Sequence, residues 1–125
     1  MRIAVFSLGF MGSTHLKALR SVSGAELLAV VSDDPVKLGG DLSAIQGNLG
    51  GTPESFDFSH VRKYRKIDEA LRDRDIEAVD LCLPTYLHAP TVIAALEAGK
   101  HVLVEKPMAL NGDEADRMIA AARSA

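Results

Sequence analysis

The chain has 125 residues, enough for one hydrophobic core but not for a core plus an elaborate second domain. Hydrophobic residues make up 47% and charged residues 25%, the balance of an ordinary soluble globular domain. Fourteen basic residues against 17 acidic ones, with no basic block, argue against a nucleic-acid partner; the single cysteine excludes an internal disulfide and fits a reducing, cytoplasmic setting.

The chain opens with "RIAVF" (2–6), a β-branched and aromatic run that reads as a first strand. Together with "SLGFMG" (7–12) it loosely imitates a signal peptide. Gly9 and Gly12 break the apolar run, however, and no A-x-A site comes promptly after it, so export is not expected. Nor does any stretch approach the ~20 apolar residues of a membrane span. "STHLKALRSV" (13–22) has Leu16, Leu19 and Val22 at helical spacing, and "LLAVVS" (27–32) reads as a second strand. In "DPVKLGGDLSAIQG", Leu38, Leu42 and Ile45 keep a helical spacing that Gly39 and Gly40 weaken. Residues 47–60 read as a long loop, 62–66 as a short edge strand and 67–73 as a short helix.

"AVDLCL" (78–83) and "HVLVE" (101–105) are further apolar runs of strand length. Between them, "LHAPTVIAALEAG" (87–99) is a helix with Pro90 in its first turn and Gly99 just past its end. A last helix begins at Asn111, with Glu114 at capping-box spacing and a stripe of Ala115, Met118, Ile119 and Ala122. Continuous apolar strands alternating with helices predict one α/β domain over 1–125, a doubly wound, mostly parallel Rossmann sheet. Right-handed crossovers align the carboxyl ends of its strands on one edge, where a ligand is expected.

Four features fall on that edge. "SLGFMG" comes directly after the first strand and fits G-x-G-x-x-G with Ser7 at the first glycine. Gly9 would let the backbone approach a pyrophosphate, Gly12 would let helix and strand pack closely, and the helix start favours anions. A tight structural turn is the plainer alternative. About 20 residues beyond Gly12 comes "VVSDDP", where either Ser32 or Asp33 meets the adenosine ribose. Asp33 there would repel a 2′-phosphate and select NAD, whereas Ser32 would tolerate NADP; NAD is slightly favoured. "LPTYLHAP" (83–90) places Leu83, Pro84 and Thr85 at a strand end and His88 in a helix's first turn, as a cofactor contact or a packing residue. Finally, Glu105, Lys106 and Pro107 close the last strand. Proline biases Lys106 toward an extended turn, and a desolvated lysine there can lose its proton near neutral pH or, as a cation, stabilise a developing alkoxide. An ordinary Glu–Lys pair is the alternative. No metal site is expected.

"SLGFMGSTHLKAL", "ELLAVVSDDP", "AVDLCLPTYLHAPTVIAALEAGKHVLVEKPMAL" and "DEADRMIAAA" together resemble the amino-terminal half of the Gfo/Idh/MocA oxidoreductases. The resemblance leaves out only residues 36–63 and is most specific from Leu83 to Leu110. It implies a two-domain NAD(P) enzyme moving a hydride between nicotinamide and a sugar or cyclitol carbon. Leu8, Gly9, Phe10 and Met11 would then line the pyrophosphate and Ser32–Asp33 the ribose. Pro84, Thr85 and His88 would flank the nicotinamide, and Glu105 would contact its ribose or ring. Lys106 would bind the reacting hydroxyl and share its proton with a histidine of a second domain. That substrate domain, with its oligomer interface, is missing from the sequence, so the chain is expected to have little turnover alone. A homo-oligomer through the strand edge is one option for the chain. Two other classes compete: a non-catalytic dinucleotide sensor, for which Lys106 has no purpose, and an S-adenosylmethionine-binding fold, for which the Glu-Lys-Pro triplet has none.

Overall fold

The computed structural model describes residues 1–45 and 54–125. In chain order the elements are β1 (Arg2–Phe6), α1 (Phe10–Leu19), β2 (Glu26–Val31), α2 (Pro35–Leu38), β3 (Arg62–Tyr64), α3 (Ile67–Leu71), β4 (Ala78–Leu81), α4 (His88–Glu97), β5 (His101–Val104) and α5 (Gly112–Ser124). The strands form one sheet in the order β3-β2-β1-β4-β5, parallel throughout. The doubly wound α/β fold is therefore the one expected, with the strand order reversing direction at β1.

Burial follows from the pleat. Successive residues of a strand face opposite sides, so Ala4 and Phe6 enter one core while Val5 enters the other. The first core gathers Ala70, Ala89, Val92, Ala95 and Met118 from α3, α4 and α5. The second takes Leu16 and Leu38 from α1 and α2, with Phe56 and Phe58. A sheet covered on both faces needs apolar residues at every position, which explains the near-continuous hydrophobic strands.

Several boundaries differ from expectation. Helix α1 starts at Phe10 and stops at Leu19, so Val22 lies beyond it and is exposed. Gly39 and Gly40 end α2 after one turn, yet Leu42 still reaches the core. Of the stripe read in α5, Met118 is buried but Ile119 is 40% exposed; the face turned inward runs through Ala115, Met118 and Ala121. Asn111 does cap α5, its side chain accepting from the Glu114 amide at 2.9 Å. Of the segment read as a loop, residues 47–53 lie outside the described residues; Phe56 and Phe58 stack with ring centroids 5.9 Å apart. Strand β5 is a sheet edge on which Leu103 is exposed. No described helix is long and apolar enough to cross a membrane.

Candidate nucleotide site

Parallel strands bring Ser7, Ser32, Leu83 and Glu105, each just beyond a strand's last residues, to one edge of the sheet. The turn from β1 into α1 is unusually tight. Ser7 has φ 74°, in the left-handed region that glycine tolerates best, and its amide donates to the Val31 carbonyl at 2.9 Å. Leu8 turns its side chain into the core, leaving its backbone at the rim. Gly9 precedes α1, and among the described residues no side chain caps the first-turn amides of Phe10, Met11 and Gly12. The hydroxyls of Ser13 and Thr14 instead donate back to the Phe10 carbonyl.

The two glycines of this turn answer to different constraints. A Cβ on Gly12 would lie 2.0 Å from the Ser7 carbonyl oxygen, so the fold itself demands glycine there. A Cβ on Gly9 would meet only the Ser7 hydroxyl, at 4.0 Å. Nothing among the described residues fills that space, which leaves room for a phosphate to lie against the backbone. The residues present fit a dinucleotide pyrophosphate.

Beside the turn is a groove of about 290 Å³ whose walls include Ser7, Ser32, Asp33, Arg65, Leu83 and Pro84. Ser32 is buried and its hydroxyl accepts from the Asp34 amide at 3.1 Å. Asp34 in turn caps α2. Asp33 is exposed, and its carbonyl accepts from the Arg65 guanidinium at 3.2 Å. Of the two residues read for the ribose, Asp33 thus presents an exposed carboxylate with no partner among the described residues, while Ser32 is turned to local backbone.

His88 is placed differently from the reading that faces it toward a ligand. It is 1% exposed, and its ring nitrogens lie 2.8 Å from the Pro107 and Leu83 carbonyl oxygens. It ties the turn after β5 to the turn after β4. Pro84 is exposed, and Thr85 opens a short 3-10 turn leading to α4. At the tip of β5, Glu105 is half-buried, Lys106 is exposed, and the Lys106–Pro107 peptide bond is cis.

One constellation is invisible to local sequence pattern. His15, on α1, sits between two carboxylates. Its Nδ1 lies 2.8 and 3.0 Å from the Asp80 oxygens, and its Nε2 lies 3.0 Å from Glu105 Oε1. Glu105 Oε2 accepts from the Lys106 amide at 3.1 Å. The Cys82 Sγ is 3.4 Å from His15 Nδ1. Burial pushes the Cys82 thiol far above its ordinary range, and the Asp80 and Glu105 charges push it further, so it is no thiolate nucleophile. His15, Asp80 and Cys82 are also the donor set closest to a metal site among the described residues, although their polar atoms already contact one another. The one signal for the cluster in the sequence is Asp80, a lone charge inside an otherwise apolar strand.

A protein-family model described as "Oxidoreductase family, NAD-binding Rossmann fold" matches residues 1–125. The chain belongs to the Gfo/Idh/MocA oxidoreductase family. It is an NAD-binding Rossmann domain of that family. A 4-carboxy-2-hydroxymuconate-6-semialdehyde dehydrogenase of Sphingobium is 33% identical to it, over 95% of this chain and 34% of the relative. A myo-inositol 2-dehydrogenase of Thermotoga maritima is 34% identical, over 95% of this chain and 32% of the relative. The chain thus spans about a third of the length of these curated relatives. The fold is shared with scyllo-inositol dehydrogenase from Lactobacillus casei, solved with bound NAD(H) and scyllo-inositol. There the TM-score is 0.78 at 24% identity, covering 99% of this chain and 33% of that one.

Proposed function

We propose that residues 1–125 are the dinucleotide-binding domain of an enzyme that transfers a hydride between nicotinamide and a hydroxyl-bearing carbon of a sugar or cyclitol. The observation that carries this reading is the shared rim: the glycine turn, open to a pyrophosphate at Gly9, and the Glu105–Lys106 tip lie on one edge. The backbone of Leu8, Gly9, Phe10 and Met11 receives the pyrophosphate, with α1 directing its amide end toward the charge. Asp33, exposed at the wall of the groove, accepts from the adenosine ribose and favours NAD over NADP. Leu83, Pro84 and Thr85 form the floor toward the nicotinamide, and Glu105 meets its ribose or ring. His88 and Pro107 act from behind, as the clamp that fixes this floor.

When bound, the nicotinamide would supply the hydride acceptor or donor for the alcohol carbon. Lys106 binds the reacting hydroxyl and steadies the alkoxide as its proton departs, shared with a base from another domain of the parent protein. Two relatives are dehydrogenases with about three times the matched length, which supports a parent whose substrate pocket lies outside these residues. The 125-residue chain should accordingly show little turnover with inositols or sugars.

Calorimetric titration with NAD, NADP and S-adenosylmethionine tests the binding reading: one of the first two should bind, and the third should not. In the full-length parent, Lys106→Ala should cut hydride transfer by about 10²-fold or more, the scale of a lost acid–base group. Unchanged transfer would remove Lys106 from the chemistry and leave a dinucleotide sensor as the better description.

A further inference from the structure

His15 and Asp80 have no role in hydride transfer as proposed, yet they join Glu105 in one cluster at the rim. Asp80 is a strand residue whose side chain is only 6% exposed. A carboxylate so placed is costly unless it is paired and hydrogen-bonded. The ring that pairs with it comes from the helix that opens the pyrophosphate turn, three residues beyond Gly12. The same ring reaches across to the tip of β5. One ring nitrogen faces each carboxylate, so the imidazole bridges Asp80 and Glu105.

We propose that His15 is a positioning residue: anchored by Asp80, it fixes the Glu105 carboxylate, and with it the start of the Glu105–Lys106 turn, beneath the nicotinamide riboside. The proposal rests on the dinucleotide-binding reading, since it needs Glu105 to face that half of the ligand. Geometry carries it. Both Glu105 oxygens are engaged, Oε1 by His15 and Oε2 by the Lys106 amide, so the carboxylate is held at both ends. A glutamate that is 19% exposed at a strand tip would otherwise have solvent to swing into. The groups facing the ring are Asp80 from β4, Cys82 just after it and Glu105 after β5. The chain of contacts also links α1, which receives the phosphates, to β5, which presents the lysine.

The experiment compares two ligands on the wild-type chain and on His15→Gln: NAD, and ADP, which lacks the nicotinamide riboside half. Should the wild type prefer NADP, that cofactor replaces NAD and 2′-phospho-ADP replaces ADP. For His15→Gln the dinucleotide affinity should fall about tenfold, the loss of one charge-assisted hydrogen bond. Affinity for the shorter ligand should stay within about twofold, well under one such bond. Glu105→Gln, which keeps the side chain's shape, should give the same split and covers the case in which His15→Gln does not fold. The double variant should be no worse than the poorer single one. Equal weakening of both ligands, or an unchanged dinucleotide affinity, overturns the proposal. Failure of the wild type to bind either dinucleotide would sink the functional reading and this inference together, whereas loss of the split alone sinks only the inference.

Discussion

A side-chain carbon on Gly12 would sit 2.0 Å from the carbonyl oxygen of Ser7, five residues earlier in the same turn. The obstacle is backbone, held by the Ser7 amide's bond to Val31, and has no rotamer by which to yield. Gly12→Ala should therefore push α1 off β1 and cost about 3 kcal/mol or more, the upper end for overpacking. Urea unfolding measures it. A loss below about 1 kcal/mol would mean the turn is softer than its geometry implies.

Gly9→Ala should behave in the opposite way. The added methyl group has open space, and Gly9 has φ −79°, which alanine adopts freely. Stability should change by less than about 1 kcal/mol, since glycine is only a modest helix cap. Dinucleotide affinity should nevertheless fall about tenfold or more, because the methyl fills the space the pyrophosphate needs (tenfold is about 1.4 kcal/mol). Unfolding and titration on the same preparation separate the two effects. Retained affinity would move the phosphates away from this turn.

Ser7 stands in the left-handed region at φ 74°. That conformation costs a side-chain-bearing residue roughly 1–2 kcal/mol, while glycine's freedom in the unfolded chain costs about 0.4–1 kcal/mol. Ser7→Gly should accordingly raise stability, by up to about 1 kcal/mol, without moving the turn. Differential calorimetry should show a melting temperature a few degrees higher. A lower one would mean the Ser7 side chain makes a stabilising contact that outweighs the backbone strain.

The strands are legible in the sequence because a doubly covered parallel sheet demands apolar residues on both faces, and Pro35, Pro84 and Pro107 come within four residues of the ends of β2, β4 and β5. What local pattern cannot supply is tertiary partnership. His88 stands in the first turn of α4 as expected, but its acceptors, at Leu83 and Pro107, are 5 and 19 residues away and turn the ring inward. His15 gives no local signal because its partners are 65 and 90 residues distant, and α1 reads as amphipathic with or without it. Leu42 is buried outside any helix because residues 54–58 fold back over it: an isolated bridge joins Asp41 to Ser55, and the Phe56 amide donates to the Gly40 carbonyl at 2.8 Å. The alternation of Phe56 and Phe58 is the visible hint that this stretch packs against the core.

Acid stability should be governed at the opposite end of the sheet, by Asp73. Its side chain is 9% exposed; burial pushes its carboxyl up, but hydrogen bonds from Arg62 at 2.6 Å, the Asp75 amide at 3.0 Å and the Tyr64 hydroxyl at 2.8 Å outweigh that and hold it below the ordinary range. A carboxyl depressed in the folded state stabilises fully above its unfolded value, about pH 3.9, and loses that contribution as pH falls through the folded value. These bonds tie edge strand β3 to the connection between α3 and β4. Stability should therefore be level between about pH 5 and 7 and drop below about pH 4. Asp73→Asn should lose about 2 kcal/mol at neutral pH, the scale of hydrogen bonds to a charged group, and show a shallower acid limb. Urea midpoints across the pH series give both quantities. An acid limb as steep in the variant as in the wild type would shift the titration to other carboxyls, such as Asp41 and Asp57, which their neighbouring serines also hold low.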